Sequence, residues 1–138
     1  MAKILARTVI EVAGFPKNHI EEVMKKVIEN IKQKFEVAKF EIFDSVELKD
    51  KMTGFWSVFS EAEIKFDDIN AVTVFCFEYM PSSIEILEPS ELSFESMTFG
   101  CFLNDLLARL HEYDMVVKNL QAENMIMKKK QEDKQKLP

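Results

Sequence analysis

The chain has 138 residues, 47% hydrophobic and 30% charged, with three glycines, four prolines and a formal net charge of −6. That composition leaves room for one domain and an appended helix, and it excludes general disorder, because enough apolar material is present to bury a core. The acidic balance argues against a broad phosphate-binding surface, since nucleic-acid affinity comes largely from Lys and Arg releasing condensed counterions.

Ile4 to Val12 is rich in β-branched residues. Ile4, Ala6, Ile10 and Val12 fall on one alternating face, which predicts a strand. Gly14, Phe15 and Pro16 end it. Asn18 followed by Glu21 has the form of a capping box. Ile20, Val23, Met24, Val27, Ile28, Ile31 and Phe35 then recur at helical spacing. A second strand is expected over 37–43, with Ala38, Phe40 and Ile42 toward the core. A polar connection around Leu48 to Thr53 leads to Gly54 and a third strand, in which Trp56, Val58, Ser60, Ala62, Ile64 and Phe66 alternate with Phe55, Ser57, Phe59, Glu61, Glu63 and Lys65.

Asp67 and Asp68 place acidic side chains where a helix leaves its first amides unsatisfied. A helix is therefore expected from Ile69 to Met80, although VTVFCFEYM is equally strand-like by local preference. Pro81, Ser82 and Ser83 interrupt it, and Ile84 to Leu87 forms a short strand before Pro89. The resulting order is that of an α+β, ferredoxin-like βαββαβ sandwich over residues 1–92: two helices on one face of a four-stranded antiparallel sheet.

A long C-terminal helix follows over 93–133, capped by Ser90 or Ser93, with an irregularity expected at Gly100 unless close packing against the sheet tolerates it. Residues 134–138 read as a disordered tail. From about 102 onward the helix would run about 45 Å, longer than so small a domain can cover. Leu103, Leu106, Leu110, Tyr113, Val117, Leu120, Asn124 and Met127 alternate spacings of three and four. With Leu103 at position a, this is a heptad seam, and those eight residues form the expected dimer interface. Asn124 at an a position favours a parallel homodimer. The flanks agree, with Arg109 opposite Asp114 and Glu123 opposite Lys128 of the other chain. A helix packed along its own domain would show the same stripe. Antiparallel pairing, or pairing with an unknown protein partner, also remains open on sequence.

Chemical motifs are sparse. His19 and His111 have no second ligand at metal spacing, and HEYD at 111–114 lacks the second histidine of a zinc-binding helix. Cys76 and Cys101 read as buried structural thiols. Glu85, Glu88, Glu91 and Glu95 read as solvated acids rather than an acid/base pair. The run Lys128, Lys129, Lys130 is too short for a nucleic-acid footprint. No catalytic residue, metal or cofactor is expected. The opening MAKILARTVIEVAGF lacks a signal-peptide pattern and no eighteen-residue apolar run exists, so a reducing, cytoplasmic setting without membrane contact is expected.

One binding surface is suggested. Phe43, Phe55 and Phe59, with Val37 beside them, would lie on the open face of the sheet, where RNA-recognition domains of this topology stack bases. Only Arg7, Lys39 and Lys65 would supply positive charge, so nucleic-acid binding is disfavoured and a cover by the long helix or a second subunit is the expected fate of that face.

The segment FCFEYMPSSIEILEPSEL, residues 75–92, resembles the end of the ferredoxin-like C-terminal extension of WYL-type bacterial transcription regulators, with Pro89 and Leu92 as its main matching marks. No helix-turn-helix or WYL core precedes it. The resemblance implies shared architecture and a ligand-sensing origin. The whole chain is also similar to small uncharacterised archaeal proteins, which implies no activity. The expected function is that of a noncatalytic, homodimeric interaction or scaffold protein. The alternatives are a small-molecule-sensing regulatory domain and an RNA binder acting through the sheet face.

Overall fold

A computed structural model describes residues 3–49 and 54–136. The chain divides by its internal packing into two units, Met1–Ser93 and Phe94–Pro138.

The first unit begins with β1, Ile4–Gly14, whose Ile4, Ala6, Thr8 and Ile10 are buried while Leu5, Arg7 and Val9 between them are half-buried. Thr8 belongs to the core face because its hydroxyl donates to the Ala62 carbonyl at 3.2 Å, so no polar atom is stranded there. Helix α1, Lys17–Lys34, buries Ile20, Met24, Ile28 and Ile31, four members of the expected stripe. The expected Asn18–Glu21 capping box does not form. Pro16 holds the N-cap position with an extended backbone, and its carbonyl accepts from the His19 and Ile20 amides at 3.0 and 3.3 Å. Asn18 is thereby drawn inside the first turn, past the position from which a side chain can cap.

Strand β2, Glu36–Ile42, departs from the alternation expected of it. Val37 pairs with Ile64, the register then shifts, and Phe40 and Ile42 pair with Ala62 and Ser60. The extra residue, Ala38, is absorbed as a bulge, so Val37 rather than Ala38 joins Phe40 and Ile42 on the side of the buried Ile64, Ala62 and Ser60. Val37 is therefore not on the open sheet face. Phe40 stays exposed on an edge strand, with the Lys32 ammonium 3.8 Å from its ring centre.

The two-residue strand β3, Val46–Glu47, was not expected. It pairs with Ser57 and Trp56 at the start of β4, Trp56–Phe66. From 50 to 53, the expected polar connection lies outside the described residues. Helix α2, Ile69–Tyr79, starts where the acidic pair predicts: the Asp68 carboxylate accepts from the Ala71 amide at 2.8 Å. Burial of Val72 and Phe75 resolves the helix-or-strand ambiguity of this segment, because tertiary packing outweighs local preference. Met80 closes the helix in the left-handed region. Strand β5, Ser83–Glu88, completes the unit.

The sheet is antiparallel throughout and runs β2-β4-β1-β5, with β3 added beside β4, which makes five strands where four were expected. Buried side chains of α1 and α2 join those of β1 and β4 in one core, so both helices cover the same face and leave the other open. Phe35, Phe66 and Phe75 meet edge to face at 5.4–5.5 Å, and Tyr79 extends the cluster.

The second unit is helix α3, Ser96–Gln135, unbroken for 40 residues. Glu95, not Ser90 or Ser93, occupies the N-cap position, without a side-chain cap bond. Gly100 causes no irregularity, and a Cβ built there meets nothing within 4 Å, so close packing is not what admits the glycine. The expected disordered tail is helical to Gln135; residues 137 and 138 lie outside the described residues. No residue of α3 is buried.

Candidate functional site

The eight expected seam residues all lie on α3. Leu103, Leu110, Tyr113, Val117, Leu120 and Met127 are between 40% and 63% exposed, Asn124 is exposed and Leu106 is half-buried. Because α3 is continuous, their three-four spacing places them in one line along about 36 Å of helix. Water rarely faces so long a row of large apolar side chains without a partner taking its place. Asp114, expected to face Arg109 of another chain, holds Lys118 of its own helix at 2.8 Å. Exposed pairs of this kind contribute under about 1 kcal/mol, so the contact is easily exchanged.

Phe99 is not among the expected seam residues. It lies four residues before Leu103 and seven before Leu106, at the next d position, and is 46% exposed. Its ring stacks on Phe94 at 6.3 Å and on Phe102 at 5.8 Å. The spacing that identifies it is visible in the sequence, one heptad before Leu106, although the expected seam begins only at Leu103.

The open sheet face is held by charge more than by aromatic rings. At its centre the Arg7 guanidinium meets three carboxylates: Glu61 at 2.9 Å from Nε, Glu63 at 3.3 Å from Nη2 and Glu85 at 3.3 Å from Nη1. Lys39 lies 3.5 Å from Glu63, and Lys65 lies 3.9 Å from Glu36. The only three cations expected on this face thus face carboxylates already, and a phosphate would have to displace those carboxylates.

The expected aromatic trio is split. Phe43 and Phe59 lie opposite each other, joined by the Phe43 amide donating to the Phe59 carbonyl at 2.9 Å, and each ring is about 40% exposed. Phe55 instead meets Phe15 at 5.1 Å and, with Val12, His19, Ile20 and Val23, borders an open pocket of about 390 Å³. Two aromatics on adjacent strands make a small patch, short of a stacking platform for a run of bases.

The remaining candidates separate. His19 and His111 are exposed on different helices, and no group of three or more His, Cys, Asp or Glu among the described residues could hold a metal ion. Glu85 belongs to the Arg7 cluster, whereas Glu88, Glu91 and Glu95 are exposed. Cys76 is half-buried, and burial pushes its thiol pKa up. Cys101 is exposed, against the expectation that it is buried, because it lies on α3, none of whose residues is buried. Lys128, Lys129 and Lys130 are exposed on the last turns of α3. No described helix is long and apolar enough to cross a membrane.

No curated protein and no solved structure matches the chain. One family model does, and nothing in that match concerns WYL-type regulators. It is the model of the MJ0538 family and it takes in residues 5–136, nearly the whole length, so the chain belongs to the MJ0538 family.

Proposed function

We propose that this is a noncatalytic interaction protein that works as a homodimer, joined through a parallel coiled coil formed by α3 from about residue 102. One observation carries the reading: a 40-residue helix has no buried residue yet presents a heptad line of large apolar side chains. An isolated helix gains little from its own hydrogen bonds in water, and tertiary or quaternary packing supplies most of its stability. Pairing two copies buries the line of each against the other. Asn124 at an a position supports the parallel, in-register arrangement, in which the two amides can bond each other.

The strand order β2-β4-β1-β5, with both helices on one face, supports a ferredoxin-like reading of the first unit as the module that the coil presents in duplicate. Cytoplasmic residence suits the two free thiols, which a reducing compartment keeps unpaired. The carboxylates around Arg7 weigh against RNA as the partner of the open face.

Sedimentation equilibrium of the full chain tests the proposal. The expected result is twice the 16.1 kDa chain mass, with the Leu110→Lys variant shifted toward monomer. A full-length protein that stays monomeric at micromolar concentration overturns it.

A further inference from the structure

We infer that the second copy is gripped by an aromatic collar at the start of α3, in which Phe99 of each chain faces its own copy and Phe102 of one chain packs on Leu107 of the other, and that this collar sets the parallel register. The inference rests on the dimer reading above and adds residues outside the expected seam. Phe99 continues the d series one heptad toward the N-terminus, and the unbroken helix at Gly100 keeps it in line with Leu103 and Leu106. Its ring is held by stacking on Phe94 and Phe102, so little side-chain freedom remains to be lost when a partner arrives.

Phe102 falls at position g and Leu107 at position e. In a parallel coil a g residue meets the e residue five positions later on the other strand, so each Phe102 packs on the partner's copy of Leu107. Positions e and g are commonly charged in two-stranded coils. Here the first such pair is apolar, and Leu107 is 50% exposed. The next pair is Arg109 with Asp114 and the last is Glu123 with Lys128, both of opposite sign in the same register. An antiparallel coil sets g against g and e against e instead. It would place Phe102 against Phe102 only if the two helices overlapped by their first turns alone, leaving the rest of the seam uncovered.

The experiment is a charge exchange in the full-length protein. Phe102→Glu and Leu107→Lys are made singly and together, dimer dissociation constants are read by sedimentation equilibrium, and far-UV circular dichroism checks that each variant keeps the wild-type fold. Each single variant is expected to weaken the dimer at least about tenfold, through loss of apolar burial at two symmetric sites. The double variant is expected to bind more tightly than either single one, because the introduced carboxylate of one chain then meets the introduced ammonium of the other, whereas five residues apart on one helix the two do not face each other. Any other order overturns the collar. A wild-type dimer with no rescue in the double variant leaves the dimer reading standing and removes the collar alone, whereas a monomeric wild type removes both.

Discussion

At the scale of single residues, environment separates groups that composition treats alike. The two cysteines differ in access and in chemistry: Cys76 is half-buried with its thiol pKa raised by desolvation, and Cys101 is exposed on α3. The thiolate is the reactive form, so a raised pKa lowers its population at any pH below that value. Iodoacetamide at about pH 8 is expected to label Cys101 well before Cys76, read by intact and peptide mass spectrometry. Equal labelling would mean that Cys76 is not shielded as described. Arg7 shows what the sequence withholds at this scale. Its three carboxylates come from β4 and β5, 54 to 78 residues away, and only the strand register brings them to one guanidinium. Counting charges along the chain marks Arg7 as one of only three cations on the open face; pairing the strands makes it the centre of an internal network.

At the scale of elements, legibility follows the strength and length of the periodic signal. The α1 stripe and the alternation of β4 were readable because each repeats over more than ten residues with one face bound for the core. The helix at α2 was readable from Asp68, whose carboxylate does cap it, despite a strand-like interior. Two residues cannot establish a period, which hid β3, and a bulge inserts a residue with no compositional mark, which hid the displacement of Ala38. The cap of α1 was misassigned because Pro16, two residues ahead of Asn18, already begins the helix with its carbonyl. Gly100, where an irregularity was expected within the helix, is an ordinary helical residue with open space where a Cβ would stand. Gly100→Ala is therefore expected to stabilise α3 by about 1 kcal/mol, seen as a higher melting temperature by circular dichroism. A lowered melting temperature would show that another surface approaches the helix closely at that point.

For the whole molecule, the mixed α+β class and the long C-terminal helix were legible, while what faces the heptad line of that helix was not, because a heptad states what a helix needs and not which chain supplies it. A homodimer makes stability depend on concentration, since the bound copy favours the folded form by mass action. The melting temperature of the full chain is expected to rise by about 3–5 °C for each tenfold increase in concentration. A melting temperature independent of concentration would place the source of α3 stability within one chain.

In the proposed dimer, two sheets carried by one assembly would also meet a hazard that neither faces alone. The outer strands of each sheet, β2 and β5, offer unpaired backbone groups, and tethering two copies raises the frequency with which such borders collide. The bulge at Ala38 breaks the regular ladder that a foreign strand would need to copy along β2, and Glu85 and Glu88 bring negative charge to β5. On the dimer proposal, the irregularity that spoiled the alternation of β2 would also guard against fibril-like stacking, so that a chain pairing through its helix would not polymerise through its sheet.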